Sequence, residues 1–161
     1  MAKEQLGTNT PEGCEIPGLN DTAAVASGLS ANGEVILTAA QSGGTFLWDL
    51  AAGVDYVLPA PTPGMVFKFY ATVAVTSNAH AISTDAATTF IGGALSMGIA
   101  ATDTNEMQVG DETSDVTISM NGTTTGGLEG TSIEVFALST TVWLARASTV
   151  VASGTLSTPF A

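Results

Sequence analysis

The segment from Val54 to Val75 contains a proline-rich connection, and apolar and polar residues alternate after it. From Met65 onward the odd positions are apolar, whereas Lys68 and Tyr70 lie at even positions. A period of two places one set of side chains on a buried face of a β-strand. The three prolines between residues 59 and 63 cannot donate to a strand ladder. The segment is therefore predicted to form a strand, a stiff connection and a long second strand.

Shorter stretches with the same alternation occur from Glu34 to the end of the chain. We interpret residues 33–161 as a single β domain. The sequence AQSGG, residues 40–44, separates two of them and predicts a hairpin. Residues 86–100 predict a strand, a bulge or bend at Gly92 and Gly93, and another strand, with a helix over residues 94–101 as the alternative. About ten short strands predict an antiparallel β-sandwich or a jelly-roll-like barrel.

The last stretch, EGTSIEVFAL followed by STT and VWLARASTVVASG, predicts a hairpin with apolar residues on both faces. Strands that are apolar on both faces are usually covered on both. We therefore expect this hairpin to be central in its sheet or covered by a partner. The tail after it ends on a proline and on Phe160, which we expect to be exposed.

Residues 1–32 are rich in glycine and proline and poor in large apolar residues, which predicts an extended N-terminal arm that orders on contact with an assembly. The arm carries the single cysteine, Cys14, so an intramolecular disulfide is excluded. No apolar segment typical of a secretory signal is present near Met1, and no apolar run is long enough for a transmembrane helix.

The chain of 161 residues has a formal net charge of -12, and Lys3, Lys68 and Arg146 are its only basic residues. Because nucleic-acid binding depends on a basic surface, this composition argues against a nucleic-acid partner.

Candidate chemical sites are few. His80 is the single histidine and is expected to be a structural residue beside a turn, not a catalytic base. The acidic stretch supplies oxygen atoms that calcium prefers, but its spacing fits no calcium loop, and we interpret it as solvated. Its relevant members are Asp103, Asn105, Glu106, Asp111, Glu112 and Asp115. We therefore predict no catalytic, cofactor-binding or metal-binding residue, and no enzymatic activity.

Aromatic residues raise the possibility of a carbohydrate platform. Trp48, Trp143, Tyr56 and Tyr70 all lie in alternating segments, where core packing is the default expectation. The sequons at Asn20 and Asn121 are interpreted as turns.

The order of these features resembles small structural proteins of tailed bacteriophages, especially marine and cyanobacterial ones. Two segments carry the resemblance. In residues 58–69 a proline-rich turn and a glycine precede an aromatic strand, and in residues 130–143 a GTSIEV strand is followed by a turn and a tryptophan. The similar region covers about residues 34–161.

The resemblance implies a capsid decoration, or cement, protein. Such a protein is β-rich, often a homotrimer, and lies on the outer surface of the virion after assembly in the host cytoplasm. It binds the major capsid protein and bridges neighbouring capsomers, which stabilises the expanded head. The alternatives are a head-fibre or tail-fibre protein, a carbohydrate-binding or adhesive module, and a small β-fold hydrolase that would need a carboxylate pair.

Overall fold

The computed structural model of the chain describes residues 34–99 and 101–161, without the side chains of residues 147 and 148. The predicted arm, residues 1–32, lies outside the described residues, and so does Cys14.

Apart from one short 3-10 turn, the regular elements of the described chain are all β-strands, which confirms the predicted all-β class. The strands are β1 (Glu34–Ile36), β2 (Thr45–Trp48), β3 (Asp55–Leu58), β4 (Val66–Ala71), β5 (His80–Thr84), β6 (Phe90–Ile99), β7 (Thr104–Gly110), β8 (Thr117–Met120), β9 (Ser132–Ala137) and β10 (Val142–Ala152). They form a four-stranded sheet with the order β1-β3-β5-β8, here called the small sheet, and a six-stranded sheet with the order β2-β4-β9-β10-β6-β7, here called the large sheet.

The two sheets are mixed, so the predicted antiparallel pairing is wrong in part. In the small sheet β1, β3 and β5 are parallel, and in the large sheet β2 is parallel to β4 and β6 to β10. The first five strands alternate between the two sheets. Each strand from β3 to β5 is therefore parallel to the preceding strand of its own sheet. The jelly-roll-like arrangement depended on antiparallel pairs and stays unconfirmed.

The predicted hairpin at residues 40–44 does not form, because this segment carries the chain from one sheet to the other. It begins with a short 3-10 turn at Ala39–Gln41. The Thr38 amide donates to the Gln41 side-chain oxygen at 2.8 Å, which closes the turn. The alternation around the segment predicted which side chains are buried. It could not distinguish a partner strand in the same sheet from one across the core.

The proline-rich connection, which was predicted between two strands, joins β3 in the small sheet to β4 in the large sheet. Gly64 ends it with a φ of 95°, a conformation that favours glycine, and its amide donates to the Ala137 carbonyl at 3.0 Å. Strand β4 is shorter than predicted and ends at Ala71. Beyond it the amides of Thr72 and Val73 both donate to the Trp48 carbonyl, and the chain leaves the sheet.

Both sheets contribute to one hydrophobic core rich in aromatic rings. The Tyr56 ring of β3 lies 5.6 Å from Phe46, 6.3 Å from Trp48 and 5.3 Å from Phe69, between ring centroids. Its hydroxyl donates to the Leu47 carbonyl at 2.8 Å, so the phenol is paired although the residue is buried. Tyr56 therefore joins the small sheet to β2 and β4 by packing and by a hydrogen bond.

The predicted C-terminal hairpin is confirmed, since β9 and β10 are antiparallel and are the two central strands of the large sheet. The helical alternative for residues 94–101 is wrong: as far as Ile99 the chain is strand β6. The register shifts lie in β10, which has one residue more between Ala145 and Thr149 than its partner strands have. Gly93, with a φ of 101°, lies inside β6, where a Cβ atom would meet the backbone of Ala145.

The expected exposure of Phe160 is wrong, because its ring is buried and packs against Gly110. The tail runs antiparallel to β8, with an isolated bridge between Ile118 and Phe160. The Ala161 carbonyl accepts from the amides of residues 116 and 117 at 2.7 and 2.9 Å. The tail thus covers the outer edge of β8. A single phenylalanine next to a proline gave no alternation from which this could be predicted.

Replacing Phe160 with alanine is expected to lower the free energy of unfolding by about 3–5 kcal/mol, because the substitution leaves a cavity and loosens the cover of β8. Urea unfolding monitored by tryptophan fluorescence measures the change. Leu138→Ala is the control: this side chain is 49% exposed, so a change within about 0.5 kcal/mol is expected. Equal effects of the two substitutions would contradict the buried position of Phe160.

Candidate interaction surface

His80 is a buried core residue and begins β5, an interior strand of the small sheet. Its ring stacks on Trp48 with centroids 5.5 Å apart, and Nε2 lies 3.0 Å from the Val73 carbonyl oxygen. Because a carbonyl only accepts, Nε2 carries the proton in the neutral ring. Nδ1 has no hydrogen-bond partner within the described chain.

Burial lowers the pKa of His80 below 6.5, although the bond to Val73 opposes the shift. His80 is therefore packed in the core on an interior strand, and its part in packing is described by the contacts to Trp48 and Val73.

The acidic stretch contains strand β7, which includes Met107 and Val109. After the strand, the Thr113 hydroxyl and amide donate to the Asp111 carboxylate at 2.6 and 2.9 Å, which holds the pKa of this exposed group below its usual value. The Asp111 amide donates in turn to the Asp115 carboxylate. These bonds describe a self-contained turn. Among the described residues, no group of three or more His, Cys, Asp or Glu side chains is placed to hold a metal ion.

The aromatic side chains are placed mainly in the core. Trp48, Trp143 and Tyr56 are fully buried, so none of them can stack on a sugar at the surface. Tyr70 is the exception, with 43% of its surface exposed on the outer side of β4. The expectation of core packing therefore holds for three of these four residues.

The solvent side of the large sheet is partly apolar, and we call it the outer face. On β4, β6, β9 and β10 its residues alternate with buried ones. All of them are half-buried or exposed. They are Val66, Lys68, Tyr70, Glu134, Phe136, Leu138, Val142, Leu144, Arg146, Ala94, Ser96, Met107 and Val109.

Both described basic residues lie on the outer face and contact one carboxylate. Arg146 Nε donates to Glu134 Oε1 at 2.7 Å, and Lys68 Nζ lies 3.8 Å from Glu134 Oε2. The Arg146 guanidinium also lies 5.0 Å from the centroid of the Phe136 ring, a cation–π contact. Two cations therefore contact one carboxylate on this face, in a chain whose net charge is -12.

A shallow trough crosses the outer face beside this charged group. Met107 and Val109 of β7 form one wall, and Leu144 and Arg146 of β10 form the other. The floor is low because it consists of β6 residues with small side chains, among them Gly93, Ala94 and Ser96. Glu112 also lines the trough, and its side chain packs over Gly92. The trough is open and mostly apolar, and it continues to the free edge of the sheet at β7.

The solvent side of the small sheet is more polar. The Ser83 hydroxyl contacts both oxygens of the Asp55 carboxylate at 2.9 Å, and burial raises the pKa of that carboxyl group. Thr117 and Ser119 occupy the same side on β8. Ile36 on β1 is its large exposed apolar side chain, at 68%. The two sheets thus present different chemistry to solvent, and the outer face of the large sheet is the better candidate for binding a partner.

Comparison with protein-family models, curated proteins and solved structures finds no match to this chain. Within the described residues, no helix is both long enough and apolar enough to cross a membrane.

The sequence analysis predicted that the C-terminal hairpin would be central or covered by a partner, but it did not predict the outer face as a surface. The sequence offered one indication of this surface: Lys68 and Arg146 both lie at positions of the alternation that face away from the core. Their approach to Glu134 could not be predicted, because it depends on the pairing of β4 and β10 with β9.

His80 generates a prediction about pH. The pKa of its folded state is below the ordinary value of 6.5, so the unfolded chain binds more protons as the pH falls below about 6.5, and stability is expected to fall with it. Urea unfolding at pH 7, 6 and 5 measures this slope. His80→Phe keeps a ring against Trp48 but does not titrate, so its slope is expected to be smaller, even though losing the bond to Val73 costs about 1 kcal/mol throughout. Parallel curves for the two proteins would contradict the assignment.

Proposed function

We propose that this chain is a non-enzymatic structural protein of a virus particle, which binds the outer surface of a phage capsid. In this proposal it contacts the major capsid protein, bridges neighbouring capsomers and stabilises the expanded head, acting as a homotrimer at a symmetric position. An added protein that binds only the expanded lattice stabilises that lattice by mass action, with no turnover. The proposal of a phage particle is supported by the resemblance of residues 58–69 and 130–143 to segments of small structural proteins of tailed bacteriophages.

The observation that carries the proposal is the outer face of the large sheet. Leu138 and Tyr70 are 49% and 43% exposed there, and the apolar side chains of Phe136 and Leu144 on the same face are half-buried. Apolar side chains exposed on one face of a sheet are a feature of interaction sites in soluble proteins. The charged group around Glu134 adds polar contacts that orient a partner.

The buried tryptophans argue against the adhesive alternative, because a sugar platform needs exposed rings and Tyr70 alone offers one among the four aromatic residues considered. A fibre protein would use the same outer face against another partner. The capsid and fibre alternatives therefore differ in the binding partner and not in the surface.

The first test mixes the purified protein with expanded and with unexpanded phage heads and measures co-sedimentation. Binding to expanded heads alone is expected. Tyr70→Asp and Leu138→Asp each place a carboxylate on the outer face, and each is expected to weaken binding at least about tenfold, because the charge is buried against the capsid without a partner. Binding is also expected to raise the temperature at which expanded heads release their DNA.

Ile36→Asp is the matched control, since this residue is more exposed than Tyr70 or Leu138 but lies on the small sheet. It is expected to bind as the original protein does. Equal binding by all variants would move the capsid contact away from the outer face, and no binding of the original protein to either head would overturn the proposed function.

A further inference from the structure

Strand β7 is the free edge of the large sheet. It pairs with β6 on one side, and among the described residues no backbone hydrogen bond outside that ladder involves residues 104–110. The edge of β8 is covered by the C-terminal tail, and the edge strands β1 and β2 have only three and four residues. The seven-residue β7 is therefore the longest uncovered edge in the described chain. Unpaired amides and carbonyls along such an edge are a template for another strand.

The two sides of β7 differ in chemistry. Met107 and Val109 point to the outer face, where they are 65% and 71% exposed and form one wall of the trough. Glu106 and Gln108 lie on the opposite side, because successive residues of a strand alternate. Any strand added to this edge would thus meet two apolar side chains on one side and a carboxylate on the other.

The edge lacks three of the features by which proteins usually prevent strand addition. Residues 104–110 contain no lysine and no proline, and no register shift occurs in their pairing with β6. The charged residues in β7 and next to it along the chain are all negative: Asp103 precedes the strand, Glu106 lies within it, and Asp111 and Glu112 follow it. Carboxylates in these places oppose a second copy of β7 and attract a strand that carries cations.

We propose that β7 accepts an extended segment of a partner protein as an additional strand, and that this segment alternates apolar residues with lysine or arginine. Its apolar side chains contact Met107 and Val109 and extend the trough wall. Its basic side chains face Glu106, and the carboxylates at the two ends of β7 favour further cations there. Main-chain hydrogen bonds supply affinity in this mode, and the alternating side chains supply specificity.

The inference rests on the proposed function only for the partner's identity as the capsid protein. Strand addition itself depends on β7 and can be measured without a capsid.

The probe is a fluorescent eight-residue peptide in which valine and lysine alternate, titrated with the full-length protein. We expect saturable binding, slower amide hydrogen exchange at residues 104–110, and an affinity that falls at least about tenfold between about 50 and 500 mM salt, because screening weakens the contacts to the carboxylates. Two control peptides have glutamate in place of lysine, or four valines followed by four lysines. Both are expected to bind at least about tenfold more weakly.

Variants locate the site. Met107→Asp and Glu106→Lys are each expected to weaken binding of the alternating peptide at least about tenfold, because one places a charge on the apolar side and the other repels lysine. Ile36→Asp is the matched control, since Ile36 is also on an edge strand and is 68% exposed against 65% for Met107. It is expected to change the affinity less than twofold. Urea unfolding confirms that each variant is folded.

Equal binding of the alternating and block peptides would reduce the effect to net charge and overturn the inference. Unchanged hydrogen exchange in β7, or equal binding by Met107→Asp and Ile36→Asp, would do the same. A dimer of the protein that Met107→Asp abolishes, without peptide binding, would assign the edge to a second copy and also overturn it.

Co-sedimentation with expanded heads separates the two proposals. If expanded heads bind the original protein but the alternating peptide does not add to β7, the inference fails and the proposed function stands. If the peptide adds to β7 but no head is bound, the inference stands and the proposed function fails.

Discussion

The packing of Tyr56 against the large sheet is the interaction on which the rest of the structure depends. Its ring contacts Phe46, Trp48 and Phe69, and its hydroxyl donates to the Leu47 carbonyl, so one side chain joins β3 to both β2 and β4. The side chains on the inner faces of both sheets are buried in this core. The outer face of the large sheet and the β7 edge carry apolar residues that the core does not use, and they are the surfaces that we propose for a partner.

The alternation of residues predicted the burial of side chains well and the pairing of strands poorly. Val35, Phe67 and Trp143 are buried as the period of two predicted, because a strand with one apolar side must turn that side inward. The parallel pairing of β1 with β3 could not be predicted, since it requires each crossing between sheets to be distinguished from a hairpin. The Thr38–Gln41 turn lies in the first crossing, from β1 to β2, and the prolines lie in the third, from β3 to β4.

The candidate site was predictable only in part. The sequence predicted a structural role for His80 and a solvated loop for the acidic stretch. The structure places His80 in the core, with Nε2 near the Val73 carbonyl, and Asp111 in an exposed turn where it accepts from Thr113. The gathering of Lys68 and Arg146 on Glu134 depends on strand pairing, so it could not be predicted from spacing. The free edge at β7 likewise depends on strand order, because Phe160 covers the competing edge of β8 from the end of the chain.

The central claim is that the large sheet, and not the small one, carries the interaction. Hydrogen-exchange mass spectrometry of the protein free and bound to expanded heads tests it most directly. The account predicts slower exchange in β7 and in the β9–β10 hairpin on binding, with β1 and β3 unchanged. Protection confined to the small sheet, with β7, β9 and β10 exchanging as in the free protein, would contradict it.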